Sequence, residues 1–244
     1  MRHGRAGPGW GRPSPLYSKR VPPRPVVAPT QEVLAEKPLL RGFLHQLAFF
    51  AAIPAAILLL VTARPMAGRI AGGIYGLSLI ALFGTSAAYH RLKWTERGRA
   101  RMRRLDHSMI YVLIAGTYVP FGILVLRAPW SIVVLGLVGG GAIAGILIQI
   151  FAFDRLRVLS SALYILLGWA VLLAAPQIVR GLRVSALVAL VVGGLLYTGG
   201  AIVLATKRPN PSPRVFGYHE VFHLSTVIAA VCHYAAVLLV VAAR

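Results

Sequence analysis

Acidic residues are scarce in this chain. Six Asp and Glu stand against 26 Lys and Arg, and all charged residues together make up only 13% of 244 positions. A soluble domain of this length needs more polar surface than that, so a water-exposed globule is excluded. There is one cysteine, Cys232, which rules out an internal disulfide framework and leaves helix packing to hold the fold. No fixed-period repeat is present, and a second soluble domain has no room. The formal charge of +20 invites a nucleic-acid partner. That reading fails because the basic residues do not gather on one face. They separate long apolar runs, as in a membrane protein whose loops are sorted by charge.

What is abundant is hydrophobicity, at 57% of residues and a mean hydropathy of +0.73. About 20 consecutive apolar residues span a bilayer as a helix. Seven such runs are predicted: 42–62, 70–90, 108–126, 131–152, 158–178, 184–205 and about 216–243. The third is the shortest and the fifth the least sharply bounded. Pro54, Pro120 and Gly139–Gly141 are compatible with membrane helices, and Gly193, Gly194, Gly199 and Gly200 allow close helix contact. Residues 1–35, rich in Arg and Pro and without an apolar period, are expected to form a disordered basic tail, with no secretory signal peptide because no apolar stretch follows the early arginines. Residues 36–244 form the membrane domain. The fold class is all-α, a seven-helix transmembrane bundle in the cell membrane.

Charge sets the expected orientation. With the N-terminus in the cytoplasm, only Arg64, Arg69, Arg127, Arg180, Arg183 and Arg244 of the 26 basic residues fall outside. This is the bias of an N-inside, C-outside protein, and an odd number of spans agrees with it.

Several polar residues stand out against this apolar background. Ser86 and His90 lie one turn apart at the end of the second span. Asp106 opens the third. His219 and His223 share a face at the start of the seventh, at i and i+4. On the expected topology all lie at one depth. Ionisable groups in membrane spans are costly and usually functional. Three neutral imidazoles plus a water suit tetrahedral Zn2+, and a nearby carboxylate can hold or deprotonate that water. The alternatives are an interfacial hydrogen-bonding role for His90 and a loop ion pair between Asp106 and Arg104. His45 is at a suitable depth to support the site. His107, about 100° around the helix from Asp106, is expected to fix the helix end. His233, about 21 Å along the helix from His219, is too far to join; it and Cys232 are expected to pack or bond separately. Glu220 is expected to meet the basic loop Arg99–Arg104. His219-Glu220-Val-Phe-His223 also fits the H-E-x-x-H pattern of zinc proteases, where Glu220 would be the general base.

Ser86-Ala-Ala-Tyr-His90, Leu105-Asp-His-Ser-Met-Ile-Tyr111, Ala115-Gly-Thr-Tyr-Val-Pro120 and Phe216-Gly-Tyr-His-Glu-Val-Phe-His223 occur in order. Together with Lys37-Pro-Leu-Leu-Arg-Gly-Phe-Leu-His45, they resemble the haemolysin III proteins, the bacterial branch of the progestin and adipoQ receptor family. The resemblance runs from about Glu36 onward and excludes the tail; the arginine density of residues 91–104 is its one departure. It implies seven helices with a cytoplasmic N-terminus. It implies zinc held by His90, His219 and His223, with Asp106 touching the zinc-bound water and Ser86 as a supporting or catalytic hydroxyl. The family's relation to alkaline ceramidases implies hydrolysis of a lipid amide or ester, or a role in membrane-lipid homeostasis. The alternative is a non-enzymatic receptor or a pore-forming cytolysin whose zinc is structural.

Overall fold

The computed structural model describes Met1, His3, Gly4 and residues 38–243; most of the basic tail expected over 1–35 lies outside the described residues. The described chain is helical, with no strand among the described residues. It runs α1 (Phe43–Thr62), α2 (Met66–Arg91), α3 (Glu96–Leu124), α4 (Trp130–Phe151), α5 (Arg157–Gly168), a 3-10 stretch (Ala170–Ala174), α6 (Ala175–Gly181), α7 (Val184–Thr206) and α8 (Tyr218–Ala243). Taking Arg157–Gly181 as one interrupted crossing, seven helical segments among the described residues are long and apolar enough to cross a membrane. Leu47, Phe50, Ile132 and Leu166 are more than half exposed on the outer faces. In water this would be an adhesive coat; in a bilayer it is the ordinary lipid-facing surface.

Two boundaries depart from the sequence expectation. The third span is the longest helix, at 29 residues, not the shortest. It begins twelve residues earlier than the apolar run, inside the arginine-rich segment. Thr95 caps it by accepting the Gly98 amide at 3.2 Å, and Glu96 sits in its first turn. Hydropathy marks where a helix enters lipid, whereas capping marks where the helix starts. Asp106 therefore lies well inside α3 and does not open it, and Arg103 and Arg104 continue the same helix.

The fifth span is interrupted. The helix from Arg157 stops at Gly168, a 3-10 stretch follows, and the chain resumes as α6 at Ala175 with Pro176 in its first turn, where a missing amide hydrogen costs no helical bond. Tyr118 of α3 meets the freed backbone. Its hydroxyl lies 2.9 Å from the Leu167 and Gly168 carbonyls and accepts the Val171 amide at 2.8 Å. Freed polar groups inside a membrane survive only with such a partner.

α2 and α3 are the most enclosed spans, about half buried (56% and 50%), while α7 is the least, at 11%. α7 nevertheless packs closely on α8. Gly193 faces His233 and Gly200 faces Ser225 and Phe222, whereas Gly194 faces Trp169 and Gly199 faces open space. Of the four expected glycines, Gly193 and Gly200 make the α7–α8 seam. Tyr75, Leu59, Val237 and Val241 are fully buried at the centre of the bundle.

Candidate metal centre

One end of the bundle gathers the start of α1, the end of α2, the first third of α3 and the start of α8. A short strap precedes α1. The Leu39 and Leu40 amides bond the Arg214 and Val215 carbonyls at 3.0 and 3.2 Å, tying the strap to the segment before α8. Gly42 turns the chain into α1 with φ +77°, and a Cβ there would fall 2.5 Å from His90 Cβ. Both the left-handed backbone and the close approach require glycine at this position. The turn brings α1 against the last turn of α2, where His90 lies.

His90, His219 and His223 converge across this end. Each offers one nitrogen, and the three nitrogens lie within 4.8 Å of one another. His90 Nε2 and His219 Nε2 are 3.4 Å apart. The ring centroids are 4.9 Å (His90–His219), 5.0 Å (His90–His223) and 4.5 Å (His219–His223) apart. A tetrahedral ion with Zn–N bonds of 2.0–2.1 Å sets its donors about 3.3–3.4 Å apart. The His90–His219 pair already has that spacing, and the His223 nitrogen lies within 4.8 Å of both. His223 Nδ1 is buried with no hydrogen-bond partner, a costly condition for a polar atom that a bound cation would relieve. The three-histidine cluster is thus one that can hold a metal ion.

Behind the cluster is a second layer. His45 is 3% exposed and lies parallel to His223, with centroids 3.8 Å apart and planes 8° apart. Its Nδ1 is 2.8 Å from Ser86 Oγ. The Ser86 hydroxyl also reaches the Asp106 carboxylate. A carboxylate only accepts, so a Ser86 hydroxyl turned to Asp106 leaves its oxygen free to accept from a proton on His45 Nδ1. Asp106, with its side chain 14% exposed, also lies 3.5 Å from His107 Nδ1 and interacts with His90. The five residues singled out in the sequence, Ser86, His90, Asp106, His219 and His223, thus meet at one end of the bundle, and His45 joins them more intimately than its position in the sequence indicates. The available signal was a histidine three residues into an apolar run.

Other expectations need correction. Glu220 does not meet the loop Arg99–Arg104. It is fully buried, its Oε1 accepts from Arg41 Nε at 2.5 Å, and its Oε2 accepts the Gly217 amide at 2.9 Å. Both oxygens are engaged, one on an arginine and one on a backbone amide, the opposite of a protease base free to take a proton from water. Arg41 precedes α1, and no spacing rule links it to position 220. His107 does not fix a helix end. It lies inside α3, donates Nδ1–H to the Arg103 carbonyl at 2.9 Å and packs edge-on against Phe153. Among the described residues Asp106 makes no ion pair with Arg104; the neighbouring Arg103 pairs instead with Asp154 at 3.3 Å. His233, as expected, stands apart, with Nε2 3.1 Å from the Leu190 carbonyl. It lines a cavity of about 260 Å³ whose other walls include Tyr118, Trp169, Leu190 and Gly194.

The chain is similar in sequence to several known proteins. A family model described as "Haemolysin-III related" matches residues 34–234. Hemolysin-3 of Bacillus cereus is 32% identical over 167 residues, covering 67% of this chain and 76% of that protein. The Hemolysin-3 homolog of Bacillus subtilis (strain 168) is 30% identical over 167 residues, covering 67% and 78%. Monocyte to macrophage differentiation factor of Homo sapiens is 26% identical over 183 residues, covering 69% of each chain.

Proposed function

This chain belongs to the haemolysin-III-related family of multi-pass membrane proteins, and on that premise we propose that it is a zinc-dependent hydrolase of a membrane-lipid amide or ester bond, serving lipid homeostasis in the cell membrane. The observation that carries this reading is the meeting of three imidazole nitrogens within 4.8 Å beside a carboxylate from a third helix. His90, His219 and His223 would hold the ion. Bound Zn2+ supplies Lewis acidity, polarising a carbonyl and making water more acidic. Asp106 acts as the base, taking a proton at a carboxylate oxygen. Ser86 holds that carboxylate through its hydroxyl and can turn to donate to a developing oxyanion. His45 fixes the Ser86 oxygen from the other side. The Arg41–Glu220 ion pair ties the strap at residues 38–42 to the start of α8, beside His219.

The N-terminus is assigned to the cytoplasm and the C-terminus to the opposite side, supported by the distribution of basic residues. Residues 1–35 are assigned to a basic tail outside the membrane domain of residues 36–244. The name of the two bacterial relatives, Hemolysin-3, favours a second reading, a receptor or cytolysin with structural zinc.

Purified, zinc-loaded protein incubated with a panel of ceramides, phospholipids and acyl esters decides between them. Released fatty acid that disappears with chelator and with Asp106→Asn is the expected result. Intact zinc with no product from any lipid favours the structural reading.

A further inference from the structure

Beyond the cluster, the described helices contain a second buried polar group of side chains, joining α3, α4 and α5. Gln149 is 3% exposed, and its Nε2 spends both hydrogens at 2.6 Å, on Ser160 Oγ and on Tyr164 Oη. Tyr111, fully buried, places its hydroxyl 2.9 Å from Ser160 Oγ. Gly145 makes room for the Tyr111 ring, since a Cβ there would overlap it. Tyr164 then donates to the backbone carbonyl of His107 at 3.1 Å. α5 is otherwise mostly exposed, with Ser160 and Leu167 its buried residues. These hydrogen bonds, together with those of Tyr118 and the packing of Leu167 on Tyr111, hold it to α3.

The last bond of the chain does more than satisfy a stray group. His107 lies inside α3, where its carbonyl already takes the amide four residues on. A second donor is not needed to pair it. What the Tyr164 bond sets is the point at which α5 touches α3, the residue next to Asp106. Asp106 is thereby held from two sides: by Ser86 from α2 and, through its neighbour, by Tyr164 from α5. The hydroxyl of Tyr164 also lies close enough to Asp106 to feel its charge.

We propose that Tyr164, fixed by Gln149, is a positioning residue that aims the Asp106 carboxylate at the three-histidine centre. The assignment rests on the role given above to Asp106. Its test is a double-mutant cycle read as zinc affinity by chelator competition, on full-length detergent-purified protein. Tyr164→Phe keeps the ring and removes the hydroxyl. It is expected to weaken zinc binding about 3–10-fold, less than the about 10–100-fold of losing a direct supporting group such as Asp106. In an Asp106→Asn background the same change is expected to add less than about twofold, because its effect passes through the missing carboxylate. Gln149→Met, run through the same cycle, is expected to behave likewise and decides the matter if Tyr164→Phe fails to fold. Equal losses in both backgrounds mean simple bracing and overturn the assignment, as does unchanged affinity. Wild-type protein that takes up no zinc removes the proposed function, and this assignment with it.

Discussion

The two halves of α8 carry histidines in opposite circumstances. Near its start, His219 and His223 face two further histidines from α1 and α2, and one nitrogen of His223 has no partner. Farther along, His233 bonds a backbone carbonyl, meets Tyr197 edge-on and borders an apolar cavity. The residue type, the helix and the lipid surroundings are the same. What separates a candidate ligand from a structural imidazole is its inventory of partners. A single satisfied bond to a carbonyl marks the structural one. Converging lone pairs with nothing to receive mark the ligand.

The largest expected effect separates the two halves directly. His219→Ala or His223→Ala should lose most of the bound zinc, a fall greater than the roughly 100-fold ceiling for supporting residues, while His233→Ala keeps it. Metal content of the three purified variants checks this, and equal retention in all of them erases the distinction between the halves. Next comes Asp106→Asn. Hydrolysis should fall by about 10²–10⁴, as for loss of a general base, with zinc weakened by a smaller factor, about 10–100. Activity and affinity measured on one preparation give both numbers.

Glu220→Gln sharpens the comparison within the first half. The mutation removes one partner of an ion pair whose acid is 1% and whose arginine is 22% exposed. Breaking a buried pair costs about 3–5 kcal/mol, and partial solvation of Arg41 reduces this to about 1–3. The expected outcome is a lower melting temperature with zinc still bound. Abolished hydrolysis in a stable, zinc-loaded Glu220→Gln protein would instead restore the protease reading. The smallest effect belongs to His233→Ala itself, about 0.6–1.7 kcal/mol for one lost interhelical hydrogen bond, seen as a slight shift in thermal unfolding.

Much of this was legible in the sequence because it depends on short-range rules. Seven apolar runs give seven spans, and the i, i+4 spacing gives His219 and His223 a common face. The beginning of α3 was not legible from hydropathy, because Thr95 and Glu96 signal a helix start in water, outside the apolar run. Pro176 did carry the signal for the start of α6 within the fifth span, but the apolar composition on both sides conceals it. The Arg41–Glu220 pair joins residues 179 positions apart. Only the docking of the strap brings them together, and no local pattern encodes that. The Tyr164 contact with the carbonyl of His107 is hidden for the same reason, since a backbone acceptor leaves no trace in residue type.

The separation between His90 and His219, 129 positions, has a consequence in time. At the usual pace of translation, about 5–20 residues per second, roughly 6–26 s pass between the synthesis of the first histidine of the cluster and the second. His90 and Asp106 must enter the bilayer long before their partners exist. A nascent chain halted before α8 can insert six crossings and still hold no complete set of donors. Metal capture at this centre would then wait on α8: a loaded centre would certify that this helix has arrived and docked.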